Sequence, residues 1–424
     1  MLKRIINVQP REITALLWSF AYFFCLLCGY YILRPVRDEM GIQGGVQNLP
    51  WLFTATFLAM LAAMPLFGWL AARFPRRVML PAVYWFFILN LLLFFAAFQI
   101  AALKPYVARV FFVWVSVFNL FVVSVFWSFM VDLFSDEQGK RLFGFIAAGG
   151  TSGAIAGPLL TAGLAPALGP INLLCVAAGF LAAAVLCIQR LAAWANSTRN
   201  NAAGPPAGGA IGGGIWAGIR DVLRSPYLLG ICFYLFCYTT LSTLLYLEMA
   251  RLVSGEFSSP QERTRLFATL DLTVNALTLA IQLFVTARCF KRFGVTVTLA
   301  LLPAAAVIGF AVLGLVPTLA VLIVFGVIRR AGEFALGKPA REILFTVVPR
   351  EAKYKAKNVI DTVVYRGGDA VSGWLVAALR GLGLGLSALS FAAVPLALAW
   401  CLTAVWLGRK QKELAGLESD KFLP

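Results

Sequence analysis

Histidine is absent from all 424 residues, and charged residues make up only 13% of the chain. The first absence excludes His-ligated metals, haem with a His axial ligand, and any Ser-His or Cys-His catalytic pair. The second excludes an ordinary soluble protein, because a water-facing surface needs about twice that share of charge. Acidic side chains are scarcer still, 19 against 36 Lys and Arg, for a formal charge of +17. Polar clusters of cysteine are also missing. Cys25, Cys28, Cys175, Cys187, Cys232, Cys237, Cys289 and Cys401 all fall in or at the ends of apolar runs, so neither a secreted disulfide framework nor a zinc site is indicated. Cys25 and Cys28 have CxxC spacing inside an apolar helix, where packing is a better reading than redox work.

What is present is apolar length. Hydrophobic residues reach 61% and mean hydropathy is +0.84. Stretches of about 20 residues, enough to cross a bilayer, recur at 13–33, 51–72, 78–103, 106–133, 143–165, 171–191, 227–250, 266–288, 295–316, 318–342, 358–380 and 385–408. The expected fold class is therefore an all-α integral membrane protein with twelve transmembrane helices. The first span is too long for a signal-peptide core and lacks a small-residue cleavage site, so it is expected to stay attached. With both termini in the cytoplasm, 23 of the 36 Lys and Arg lie on the inner side and eight on the outer. That bias is a topology signal. It accounts for the positive charge without nucleic acid; a bacterial inner (plasma) membrane is the expected location.

A polar, Gly- and Pro-rich interruption over 192–226 cannot bury apolar area and reads as a cytoplasmic linker. It separates a six-helix bundle over 1–191 from a second over 227–424 with a short cytoplasmic tail. The halves echo each other: Ala72-Arg73-Phe74-Pro75-Arg76-Arg77 matches Lys291-Arg292-Phe293-Gly294, and Gly149-Gly150 matches Gly367-Gly368, at nearly one offset. Two six-helix pseudo-repeats are expected, with a solute site between them near the midplane.

The arrangement resembles the major facilitator superfamily. Gly68 to Arg77 is similar to that superfamily's signature between the second and third spans. Gly153-Ala154-Ile155-Ala156-Gly157-Pro158 is similar to part of its antiporter motif. Gly149, Gly153 and Gly157, at four-residue spacing, equally fit simple close packing of a neighbouring helix. A narrower resemblance rests on Tyr30-Tyr31-Ile32-Leu33-Arg34-Pro35-Val36-Arg37-Asp38, on Phe126-Trp127 with Lys140 to Gly144, and on Lys338, Leu344-Phe345 and Lys353 to Asp361. As an ordered set these are similar to the bacterial and plastidic ATP/ADP translocases, the nucleotide exchange family. The resemblance implies secondary transport, ATP against ADP.

Ionisable side chains deep in the spans carry the site prediction, since each costs about 2.5–3.5 kcal/mol at a helix centre. Arg329, Arg330, Lys338, Arg341 and Arg366 are such cations, joined by Arg34 and Arg37 at the end of the first span. Arg329, Arg330, Lys338, Arg366, Arg34 and Arg37 are the candidate substrate-binding residues, because guanidinium suits phosphate and carboxylate. Glu248, Asp271, Glu333, Asp361 and Asp369 are the candidates for coupling or gating. Blander readings stand beside these. Glu333 can neutralise Arg329 one turn away, Arg366 can satisfy Asp369, and Arg34 and Asp38 have ion-pair spacing at what could be a solvated helix end. Glu248 reads as an isolated carboxylate near the outer end. Asp271, Asn275, Thr278 and Gln282 form a polar stripe that suits a hydrated path or a buried network.

Gly332 to Pro339 comes one residue short of a phosphate-binding loop, but it lies in an apolar helix and Pro339 replaces the hydroxyl, so no ATPase is read there. The chain is expected to be no enzyme and to need no cofactor or metal. Its expected partners are the lipid bilayer and a small anionic solute, nucleotide or otherwise, bound by a monomer. The alternative is a proton-coupled transporter of another organic anion or small solute. A membrane enzyme acting on lipid phosphates lacks a nucleophile set, and a non-transporting sensor does not need inward-facing charges. Arg330→Ala and Arg366→Ala are each expected to abolish uptake into proteoliposomes while leaving membrane insertion intact; wild-type-like uptake in both removes them from the site.

Overall fold

The computed structural model describes residues 9, 12–73, 76–199, 220, 222–349, 356–357 and 359–420. Among the described residues there is no β-strand. The chain runs through α1 (Ile13–Gln43), α2 (Leu49–Arg73), α3 (Arg76–Ala97), α4 (Lys104–Leu133), α5 (Asp136–Arg199), α6 (Pro226–Glu256), α7 (Pro260–Ile281), α8 (Ala287–Leu315), α9 (Leu319–Gly332), α10 (Lys338–Leu344), α11 (Tyr365–Gly381) and α12 (Leu386–Asp420). Three single π-helical turns, Gln282–Thr286, Glu333–Gly337 and Ile360–Val364, lead into α8, α10 and α11.

Among the described residues, eight helical stretches are long and apolar enough to cross a membrane. Their outer faces carry exposed Trp69, Trp85, Phe86, Leu89 and Leu93 on α2 and α3, and Leu402 and Trp406 on α12. Apolar faces of this extent need hydrocarbon rather than water, and the chain is an integral membrane protein. Two stretches, Glu137–Ala195 and Pro260–Leu315, are 59 and 56 residues long, about twice what one crossing needs. Each contains a glycine in the left-handed region, Gly169 at φ 75° and Gly294 at φ 71°. Only glycine takes that conformation without strain, so these are the points where the helix is broken by a kink.

Of the predicted 192–226 linker, 200–219 and 221 lie outside the described residues, whereas 192–199 continue α5 as helix. Phe74 and Pro75 of the motif after α2, and Lys353, Lys355 and Asn358 of the lysine-rich segment, also lie outside them.

The chain forms two compact units. The first comprises Met1–Gly45, Leu58–Ala210 and Phe257–Leu272. Its centre is α1 laid directly on α5. A Cβ on Gly149, Gly153 or Gly157 would collide with the backbone of Phe20, Phe24 or Cys28 respectively, so this glycine stripe is a helix-packing surface. Around it, Phe23 stacks on Phe126 at 4.1 Å, and the Tyr22 and Tyr84 hydroxyls meet at 2.6 Å. Glu12, just before α1, accepts the Gln9 N–H at 3.0 Å, the Gln138 amide at 2.9 Å and Arg141 at 3.0 Å. Burial pushes the Glu12 carboxyl up, but those donors outweigh it and hold the group below the usual range.

The second unit comprises Val46–Phe57, Ile211–Glu256 and Thr273–Pro424. Here α6 packs on α11, with Gly368 giving room to Thr239 and the Thr240 and Ser372 hydroxyls paired at 2.8 Å. The start of α2 docks on α11 through the edge-to-face pair Trp51–Trp374, and the Trp374 indole N–H donates to Thr54 Oγ1 at 3.1 Å. Thr318 caps α9 by accepting the Val321 N–H.

Gly153→Val is expected to destabilise the protein by about 1–3 kcal/mol through overpacking against α1, read as a lower thermal midpoint in detergent. Gly144→Ala, where the added Cβ would meet no neighbouring segment or side chain within 4 Å, is the control expected to lower nothing.

Candidate functional site

In the second unit, α9, its π-turn and α10 carry a close set of charges: Arg329, Arg330, Glu333, Lys338, Arg341 and Glu342. Arg329 ends α9 and is buried. Its Nη1 donates to Ser242 Oγ on α6 at 2.6 Å, and its guanidinium lies over the Tyr238 ring at 5.5 Å. Its Nε is buried with no hydrogen-bond partner, and among the described residues Arg329 has no ion pair. Arg330 is half-buried beside it.

Tyr238 leads onward to α11. Its ring stands 6.0 Å from that of Tyr365, and Arg366 lies over Tyr365 at 5.5 Å. A tyrosine pair therefore bridges the guanidinium groups of Arg329 and Arg366. Arg366 pairs with Asp369 at 3.5 Å, one turn further on, and Asp369 also accepts from Thr243 Oγ1 at 3.4 Å. The self-satisfied Arg366–Asp369 reading is thus present in the structure, although Arg366 stays 32% exposed.

Glu333 does not pair with Arg329. It is buried and pairs with Arg341 at 3.5 Å, eight residues later, and its second oxygen has no hydrogen bond. The physical reason is the π-turn Glu333–Gly337, which takes up about one residue more than an α-turn and so turns Arg341 into line with Glu333. The turn's carbonyls are met from the preceding hairpin arm: Gln282 Nε2 donates to Phe334 O at 3.3 Å and Thr286 Oγ1 to Ala335 O at 2.9 Å. Lys338 and Asp361, at the start of α10 and in the third π-turn, are exposed.

Two further pairings differ from expectation. Arg34 meets Asp271 on α7 at 3.5 Å rather than Asp38, while Arg37 takes Asp38 at 3.3 Å, donates to Phe112 O at 3.2 Å and lies over the Phe112 ring. A helix end with spare donors binds whichever acid the fold brings, and sequence spacing does not reveal α7. Glu248 is not isolated: it is buried and held by both Nε and Nη2 of Arg380. The polar stripe of α7 is also divided. Asp271 serves α1, Gln282 serves the π-turn, and Thr278 Oγ1 is buried without a hydrogen bond.

Among the described residues, the most completely buried ion pair is Glu39–Arg263; Glu39 belongs to the charged group ending the first span, whose reading as a solvated helix end fails for it. Glu39 is fully buried and receives Arg263 Nε at 2.7 Å and Nη2 at 2.8 Å. Arg263 also donates to Phe257 O and Ser258 O, and Gln43 donates to Glu39. Every strong donor and acceptor of the pair is satisfied within the first unit. The sequence suggested no role for Tyr238, Ser242 or Tyr365. The readable signal was the hydroxyl-rich run Tyr238-Thr239-Thr240-Leu241-Ser242-Thr243 inside an apolar helix.

The model of the Major Facilitator Superfamily matches residues 19–368. ADP,ATP carrier protein 1 of Chlamydia muridarum is 22% identical over 498 residues, covering 96% of this chain and 92% of the relative. The protein of the same name from Chlamydia trachomatis serovar D matches at the same identity and coverage. Among solved structures, a bacterial homologue of the iron transporter ferroportin superposes with a TM-score of 0.66 at 11% identity, covering 95% of this chain and 98% of that one. The POT family transporter PepTSo superposes with a TM-score of 0.64 at 13% identity, covering 96% and 99%.

Glu39→Ala or Arg263→Ala alone is expected to cost about 3–5 kcal/mol, because each strands a buried charge. The double variant should cost less than the sum of the two, as thermal unfolding in detergent would read.

Proposed function

The chain belongs to the Major Facilitator Superfamily, and on that premise we propose that it is a twelve-helix secondary transporter that exchanges nucleotides, ATP against ADP, by alternating access. The two stretches broken at Gly169 and Gly294 count as two crossings each. With the remaining six, and with Leu319–Leu344 and Ile360–Gly381 across their π-turns, they make twelve. The two six-helix halves are then pseudo-repeats joined by the 192–226 linker, and both termini lie in the cytoplasm of a bacterial inner membrane.

The observation that carries the anionic cargo is the charge imbalance of the second unit. Arg329, Arg330, Lys338, Arg341 and Arg366 stand against Glu333, Asp361 and Asp369, and Arg329 has no acid partner among the described residues. A guanidinium buried this deeply is expensive unless an anion completes it, and phosphate is the ligand its planar donors fit. The ADP,ATP carrier relatives supply the choice of nucleotide among phosphorylated anions. No hydrolytic motif is present, so the gradients of the exchanged nucleotides drive the cycle.

A second reading draws on the unbonded Glu333 oxygen, which can accept a proton and couple uptake of another organic anion or small solute to a pH gradient. Liposomes preloaded with ADP, with phosphate or with nothing separate the two readings when labelled ATP is supplied outside. Uptake is expected only with ADP inside, and Arg329→Ala should lower it about a hundredfold, the equivalent of about 2.7 kcal/mol for a buried charge-assisted contact. Uptake that follows a pH gradient into empty liposomes favours proton coupling, and wild-type exchange by Arg329→Ala removes that residue from the site.

A further inference from the structure

Side chains on an α-helix lean toward its N-terminus. Glu333 follows Arg329 by one α-helical turn, with its N–H bonded to the Arg329 carbonyl. By default its carboxylate should lean back onto that guanidinium and neutralise it. Instead it lies forward, over Gly337, where a Cβ would collide with Glu333 Oε2.

Two structural features keep it there. One is the missing side chain at Gly337. The other is the π-turn, in which the Lys338 N–H bonds to the Glu333 carbonyl five residues back. Along an unbroken α-helix, Arg341 would stand about 80° around the axis from Glu333. The extra residue of the π-turn removes most of that angle and lets the 3.5 Å ion pair form. A π-turn leaves its carbonyls poorly aligned for the helix's own donors, and here Gln282 and Thr286 donate to Phe334 O and Ala335 O. Those two side chains belong to a π-turn of their own.

We propose that Gly337, Gln282 and Thr286 are positioning residues for anion binding: they hold the Glu333 carboxylate forward on Arg341 and so keep Arg329 available to a phosphate. The inference rests on the reading of Arg329 as an anion-binding residue and extends it to three residues that touch no solute. The buried, unbonded Nε of Arg329 marks the position they protect. Alanine at 337 would push the carboxylate back toward Arg329 while favouring the helix itself, so loss of binding would not reflect loss of fold. Thr286→Val with Gln282→Leu removes the support of the π-turn by a separate route.

The test is equilibrium binding of labelled ATP, with pyrophosphate as competitor, to the full-length protein in nanodiscs. Gly337→Ala is expected to weaken ATP about tenfold, equal to about 1.4 kcal/mol, and the Gln282→Leu, Thr286→Val double variant should weaken it similarly. Adding Glu333→Gln to Gly337→Ala removes the competing charge and should restore most of the lost affinity, which a purely steric defect would not allow. The inference is overturned if Gly337→Ala binds like the wild type, or if Gly337→Ala with Glu333→Gln stays as weak as Gly337→Ala alone. A wild type that binds neither ATP nor pyrophosphate overturns the nucleotide reading itself, and this inference with it.

Discussion

A charge in hydrocarbon loses its hydration and must recover it from a partner or leave the membrane. That requirement organises the polar interior of this protein. Glu39 recovers it from both edges of Arg263, Glu248 from Arg380, Arg34 from Asp271 and Arg341 from Glu333. Arg37 recovers it from Asp38, a carbonyl and an aromatic face together. Against this background of closed pairs, Arg329 stands out. It is as buried as the others, yet among the described residues it has no ion pair within contact distance, only the Ser242 hydroxyl and the Tyr238 ring. On the proposed reading, the missing partner is the cargo.

The backbone makes these pairings possible in two ways. Glycine brings α1 and α5 close enough for backbone to meet side chain, which sets the frame that holds Arg34, Arg37 and Glu39. π-Turns change the angular register partway along a helix, so residues about 80° apart on an α-helix come into line. Such a turn needs outside donors for its carbonyls, and polar side chains in apolar segments supply them. Gln282 and Thr286 donate to such carbonyls, even though Gln282 belongs to a stripe that reads in sequence as a water path or a buried network.

Fold and cargo separate cleanly in this protein. The superposed transporters share only 11–13% identity with this chain. Likeness at that level speaks for the scaffold alone. Cargo choice depends on a few side chains inside the scaffold, which is why the charge imbalance around α9, α10 and α11 weighs more in the functional reading than the superposition does.

The sequence by itself determined the solvent, the secondary structure and the family. Sixty-one per cent apolar residues leave no alternative to lipid, the bilayer admits only helix or closed barrel, and the motifs around Arg34, Gly153 and Asp361 are local enough to read directly. It also singled out the deep charges, since an arginine in an apolar run is conspicuous wherever it falls. Their partners were decided only by the tertiary structure. Arg263 lies 224 positions from Glu39, and Arg380 lies 132 from Glu248. The exchange of Arg329 for Arg341 as the partner of Glu333 depended on a single π-turn that α-helical spacing cannot express. Helical periodicity describes which residues share a face of one helix, and the glycine stripe of α5 marks a packing face; which distant segment meets that face is not written in the periodicity of either helix.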